Sequence, residues 1–197
     1  MIANLCNVDN ELAKRVADGL GIGLPENAKA ARKPIAMKPS PALSLHMKQT
    51  IEGSPIGILY ADGSDGKEIH KLTDAVRNAG GKPVLIAPKV GGATLADARM
   101  LKAHGQLAGT PSQTVDAIAL VLSEEGASAL LKDASAIPFV TDAFGHLKAI
   151  GASAAAQPLL DKAGVKPDSG VTGFGDDFLA AAAKRFWDRE AKIRPLA

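Results

Sequence analysis

From residue 54 onward the chain alternates short, unbroken apolar runs with longer segments of helical spacing, and that alternation leaves few folds open. Ile56-Gly57-Ile58-Leu59-Tyr60-Ala61 has no polar alternation, so the strand it forms has to be covered on both faces. Asp62-Gly63-Ser64-Asp65-Gly66 is its turn. Ile69, Leu72, Val76 and Ala79 then recur at helical spacing and stop at Gly80-Gly81. A second apolar run follows at 83–87. Two covered strands joined by a helix must lie parallel, because only a crossover connects parallel neighbours.

The same alternation continues to the end. Residues 88–114 are rich in Gly and Pro and leave room only for short strands and turns. A third buried strand is predicted at 116–122, with helices at 124–131 and 135–146. A fourth strand at 148–152 feeds an Ala-rich helix through Leu159 and Leu160, and a last helix spans 176–193. The fold class is α/β, a doubly wound parallel sheet of flavodoxin-like type.

The first 53 residues do not belong to that pattern. Asn7-Val8-Asp9 opens an amphipathic helix whose stripe is Val8, Leu12, Val16 and Leu20, ended by Gly19 and Gly21. Nothing else in the chain is positioned to cover that stripe, so the helix is expected to belong to a larger body. Pro25, Pro34, Pro39 and Pro41, with Lys29, Arg32, Lys33 and Lys38, mark a tether that has no core of its own. The organisation is therefore a helix at 1–22, an extended linker at 23–53 and a domain at 54–197.

Composition excludes several classes. Aromatic residues at 4% and a net charge of +2, with basic residues spread out except in the tether, leave no stacking or basic surface for nucleic acid. One cysteine, Cys6, rules out an internal disulfide framework and fits a reducing compartment. No run reaches the ~20 apolar residues of a membrane-spanning helix. The cytoplasm is the expected location.

In such sheets ligands meet the carboxyl ends of the strands. The turn after 150–152 is the sharpest candidate, since strand-to-helix elbows display nucleophiles beside backbone donors. Its only nucleophile-type group is Ser153, which reads either as a nucleophile or as a helix N-cap. A serine nucleophile needs a base, yet His146 precedes the strand, His70 lies on the first helix, His46 in the tether and His104 in the irregular stretch. The 62–66 turn lacks the Lys-Ser/Thr of a phosphate loop and carries two carboxylates where an anion would sit. Glu68 reads either as a pocket carboxylate or as a first-turn acid favoured by the helix dipole. No metal-ligand spacing is present.

Two segments nonetheless resemble the large-subunit haem catalases, whose haem-binding core precedes a C-terminal flavodoxin-like domain. Asn4 to Asp9 and Leu12 to Gly21 are similar to the closing helix of that core. Gly57 to Gly63, Gly109-Thr110-Pro111-Ser112 with Val115-Asp116-Ala117, and Phe139-Val140 with His146 to Ala152 are similar to the domain's strands. The resemblance implies membership in the class I glutamine-amidotransferase-like superfamily, alongside PfpI-type proteases and glyoxalases. Active members carry an elbow cysteine, a glutamate after the first strand and a Gly-Gly pair after the third main strand. Here the glutamate falls on Glu68, the cysteine on Ala154 and the glycines near Leu122-Ser123.

The resemblance thus implies a vestigial pocket of Glu68, Ser153, Ala154, Leu122 and Ser123 with no catalytic, cofactor-binding or metal residue. Haem would belong to the parent core, upstream of Asn4. The implied role is a non-catalytic accessory domain that packs on the catalase core and sister subunits and supports a homo-oligomer, with a chaperone-like action also inferred from the family. The alternative is a stand-alone hydrolase or glyoxalase of the amidotransferase-like superfamily.

Overall fold

The computed structural model describes residues 1–29 and 49–193 and divides into two units, 1–46 and 47–197. Linker residues 30–48, including His46, lie outside the described residues.

The first unit corrects the single-helix reading. Helix α1 (Ile2–Leu5) and helix α2 (Asn10–Gly19) are separated by a turn at 6–9, where the Asp9 carboxylate accepts from the Leu12 N–H at 2.9 Å and starts α2. Their shared core is Ile2, Cys6, Ala13 and Ala17. Two short helices touch closely only through small side chains, so the alanines face inward, whereas Val8 is 78% and Leu20 65% exposed. The helix also has a partner within the chain. Ala28 N–H donates to the Ala3 carbonyl at 2.8 Å and Asn7 Nδ2 to the Ala28 carbonyl at 2.7 Å, laying the start of the tether across the turn.

In the second unit, strands β1 (Pro55–Tyr60) and β2 (Lys82–Ala87) flank helix α3 (Gly66–Asn78) in sequence. A small antiparallel hairpin follows, β3 (Ala93–Thr94) with β4 (Met100–Leu101), then β5 (Gly105–Gln106). Next come β6 (Ala117–Val121), helices α4 (Glu124–Leu130) and α5 (Ala136–Gly145), β7 (Ile150–Ala152) and helix α6 (Gln157–Lys162). The chain then runs through β8 (Val171–Thr172), helix α7 (Asp176–Ala182) and helix α8 (Glu190–Ile193). The sheet order is β5-β2-β1-β6-β7-β8 with every neighbour parallel.

Fully buried runs in β1 and β6 supply side chains to both faces. One apolar cluster joins Leu59, Ile118 and Leu120 to Phe139, Val140 and Leu159; the other joins Ile58, Ala119 and Ile51 to Ile69, Val76 and Phe178. Ile51, just before the first strand, is thus part of the core.

Two elements differ from expectation. The last helix is not continuous over 176–193: it stops at Ala182 and resumes as a 3-10 turn at 187–189 and then α8. The Phe186 N–H donates to the Leu147 carbonyl at 2.9 Å instead of a carbonyl one turn back, which interrupts the helical ladder. The fourth strand is Ile150–Ala152 rather than 148–152, because the Lys148 N–H closes the end of α5 on the Ala143 carbonyl.

At the tip of the β3–β4 hairpin Ala98 holds φ 63, the left-handed region that costs a residue with a Cβ roughly 1–2 kcal/mol. Ala98→Gly is expected to raise stability by roughly 0.5–1 kcal/mol, after the glycine's greater unfolded entropy is subtracted. Urea unfolding of the two proteins measures the difference.

Candidate functional site

The strand order reverses between β1 and β6, so the crevice of this fold lies where their carboxyl ends separate. Here two serines bridge the walls of that crevice, and clefts remain on either side of them. Ser64, fully buried, donates from Oγ to the Val121 carbonyl at 2.7 Å and accepts from the Ala61 N–H at 3.0 Å. From the opposite loop Ser123 Oγ donates to the Asp62 carbonyl at 2.9 Å while capping α4 through the Gly126 N–H. The 62–66 turn offers no amide cradle either. Its Gly63 N–H goes to the Thr94 carbonyl, Asp62 Oδ1 accepts from the Thr94 N–H, and Asp65 caps α3 through the Lys67 N–H.

Beside this bridge lies an open cleft lined by Asp65, Glu68, Val121, Leu122, Ser153 and Phe174. The structure therefore brings Glu68, Leu122 and Ser153 together. It places Ala154 on the exposed rim of a neighbouring cleft with Ala152, Gln157 and Thr172, and Ser123 in the α4 cap rather than in the Glu68 cleft.

Ser153 spends its hydroxyl on the backbone of the neighbouring strand. Its backbone is ordinary extended chain at φ −70 and ψ 156, and neither it nor Ala154 is held at positive φ. It makes no side-chain cap on the 3-10 turn at 154–156. Instead Ser153 Oγ donates to the Leu122 carbonyl at 2.9 Å and accepts from the Leu122 N–H at 3.1 Å, clasping the end of β6 to the end of β7. Register explains this: Leu120 faces Ala152, so the next residues of both strands leave the sheet side by side.

No imidazole among the described residues reaches the cleft. His146 is exposed, with Nδ1 on the Asp142 carbonyl of its own helix, His104 Nδ1 accepts from the Leu85 N–H, and His70 is exposed on α3. The hydroxyl proton is thus aimed at a carbonyl instead of a base. The Leu122 N–H, the backbone donor nearest the counterpart of the glycine pair, is already occupied.

The residues that sequence reasoning missed lie at the opposite end of the sheet. Arg189 is 1% exposed and stacks between Phe144 and Phe186, with its carbon centre 4.5 and 4.7 Å from the ring centroids. It binds Asp168 through Nε at 2.5 Å and Nη2 at 2.7 Å, and donates from Nη1 to the Lys148 carbonyl. Lys148 Nζ in turn caps the Ser112 and Val115 carbonyls. One clue is present in sequence: Gly170 carries no side chain where Arg189 and Phe186 press closest.

Residues 52–191 match the family model of the C-terminal domain found in long catalases. The chain belongs to that family. It is 40% identical to "Catalase C" of Rhizobium meliloti over 98% of its own length, and 30% identical to "Catalase HPII" of Pseudomonas aeruginosa over the same share. "Catalase-B" of Dictyostelium discoideum is 28% identical over 96%. These alignments take in the N-terminal unit as well as the sheet. This catalase domain spans about three-tenths of the length of those relatives.

A two-domain protein of Anabaena variabilis, with DJ-1/ThiJ/PfpI-like and ferritin-like domains, matches 58% of the chain and 34% of its own at TM-score 0.53 and 14% identity. At that identity the likeness shows the flavodoxin-like fold. No helix among the described residues is long and apolar enough to cross a membrane.

Proposed function

We propose that this chain is a non-catalytic accessory domain of a long catalase, adding packing and oligomer support to a parent that breaks down hydrogen peroxide. The carrying observation is the Ser153–Leu122 clasp: it uses the only hydroxyl at the elbow and the nearest backbone donor, while Ala154 supplies no nucleophile. The exposed stripe of Val8, Leu12 and Leu20 supports the same reading, since such a face is the kind a preceding body of the same polypeptide covers.

Haem belongs to that body rather than to this domain. Tyr60, the chain's one tyrosine, is buried with its hydroxyl on the Leu101 carbonyl at 2.9 Å, which does not fit a haem ligand facing an open pocket. The described histidines are surface groups.

The purified chain is expected to show no peroxide breakdown above buffer and no esterase, peptidase or glyoxalase turnover. Ala154→Cys is expected to add a titratable thiol without turnover, because a lost oxyanion donor alone costs ~10²–10³ in rate. Turnover by the unmodified chain that Ser153→Ala abolishes would overturn the accessory reading and favour a small-molecule enzyme.

A further inference from the structure

After Ala182 the chain is held to the second unit in an unusual way. Arg189 is the only fully buried residue described between 183 and 193; Phe186 is half-buried and Trp187 is 66% exposed. Ala183 and Phe186 pack partly buried against one core cluster and Ile193 against the other, and the remaining anchors are polar. Arg185 donates from Nη2 to Asp116 Oδ1 at 2.7 Å and from Nη1 to the Asp116 carbonyl at 3.1 Å, and the Phe186 N–H reaches the Leu147 carbonyl. By contrast α7, directly before, buries Phe178, Ala181 and Ala182. Local opening is least costly where little apolar surface is buried, so the segment after 182 and the helix before it fall in different stability classes.

Beneath this segment lies Lys148. Its carbonyl takes Arg189 Nη1, and its ammonium is shut in against the Ser112 and Val115 carbonyls. Burial, and then the Arg185 charge beside it, hold this amine below the usual lysine range, while Asp116 and Asp142 pull the other way.

We propose that residues 183–193 are a strap that lifts as one unit from the amino end of the sheet and uncovers the Lys148 amine, with Arg189 as its latch. The guanidinium suits a latch because its planar fork pairs two-fold with Asp168 while its faces stack on Phe144 and Phe186; a lysine offers neither feature. Opening separates the strap from α5 and from the lead-ins to β6, β7 and β8, and leaves α7 docked. This end of the domain is remote from the Glu68 cleft, so the strap operates independently of the accessory reading.

The test follows hydrogen exchange and acetylation by an N-hydroxysuccinimide acetate ester in the full chain, both read by mass spectrometry. Arg189→Lys keeps the charge but loses the fork. It is expected to accelerate exchange in 183–193 and acetylation of Lys148 together, by about tenfold, relative to exposed Lys67. Exchange in β1 and α7 is expected to stay unchanged. Arg185→Gln is expected to give the same paired response at smaller amplitude, and it keeps the test decisive should Arg189→Lys fold poorly. The proposal is overturned by equal acceleration in β1 and β6, which would make Arg189 part of the global core. Faster strap exchange without Lys148 acetylation, or no change in either, overturns it as well.

Discussion

Phe178→Ala is expected to remove about 3–5 kcal/mol from the second unit, the range for deleting a buried aromatic ring. The ring is fully buried and lies on the backbone of Gly151 in β7, where an added Cβ would come within 2.8 Å of it. It also packs in the cluster of Ile58, Ala119 and Ala149, so Phe178 is the large side chain that keys α7 to the sheet beside the small Ala181 and Ala182. The reciprocal change, Gly151→Ala, is expected to cost about 1–3 kcal/mol by overpacking. Combining Gly151→Ala with Phe178→Leu should cost less than the two singles summed, since the smaller side chain yields room for the methyl. Urea unfolding measures all four variants, Phe178→Leu alone included, and a loss below about 1 kcal/mol for Phe178→Ala would show that the ring is not keyed there.

The same glycine shows how a site can be misread from sequence. Gly151 sits two residues before Ser153, inside what looks like a nucleophile elbow, and its structural reason is the aromatic ring on its open face. The elbow residues themselves were only partly legible. Topology alone brings Glu68, Leu122 and Ser153 to one edge, because α3 starts there and β6 and β7 end there. The Ser153–Leu122 clasp was not legible, because it depends on the pairing of Leu120 with Ala152. A one-residue slip would turn Ser153 toward the other side of the sheet.

The long covered strands were legible because both faces of β1 and β6 are buried, and only an unbroken apolar run satisfies that. The two edge strands β5 and β8 have two residues each, too few for any periodicity to register. At the C-terminus the helical spacing of Phe178, Leu179, Ala182 and Phe186 continues past the point where the helix stops. What stops it is a long-range bond from Phe186 to Leu147, which no local pattern encodes. The N-terminal unit shows a different limit. Periodicity marked the stripe of Val8, Leu12, Val16 and Leu20, of which only Val16 packs at the edge of the small core, and it did not show that α1 packs on Ala13 and Ala17. Spacing reveals that a face is apolar, and side-chain size decides which face a short neighbouring helix can approach.

Alkaline titration is expected to expose the second large effect. Burial lifts the Tyr60 phenol from 10.0 to about 12 in the folded chain, and its hydroxyl donates to the Leu101 carbonyl. Between those two values the unfolded chain has released this proton and the folded chain still holds it. The folded state then binds more protons, so stability falls as pH rises through that window. Two units correspond to about 3 kcal/mol once pH passes the folded value. Lys148 contributes with the opposite sign below 10.5. Its amine is held low in the folded chain, so the unfolded chain binds the extra proton there and stability rises with pH until that value is reached. The two contributions oppose each other, so above 10.5 only the Tyr60 fall remains of the two. Because Tyr60 is the chain's one tyrosine, tyrosinate absorbance reports its ionisation directly in the folded protein. Tyr60→Phe is expected to lower stability at neutral pH by about 1 kcal/mol, for the lost bond to Leu101, and to abolish the alkaline fall. An ordinary phenol titration near 10 in the folded chain would show that Tyr60 is not sealed in the core.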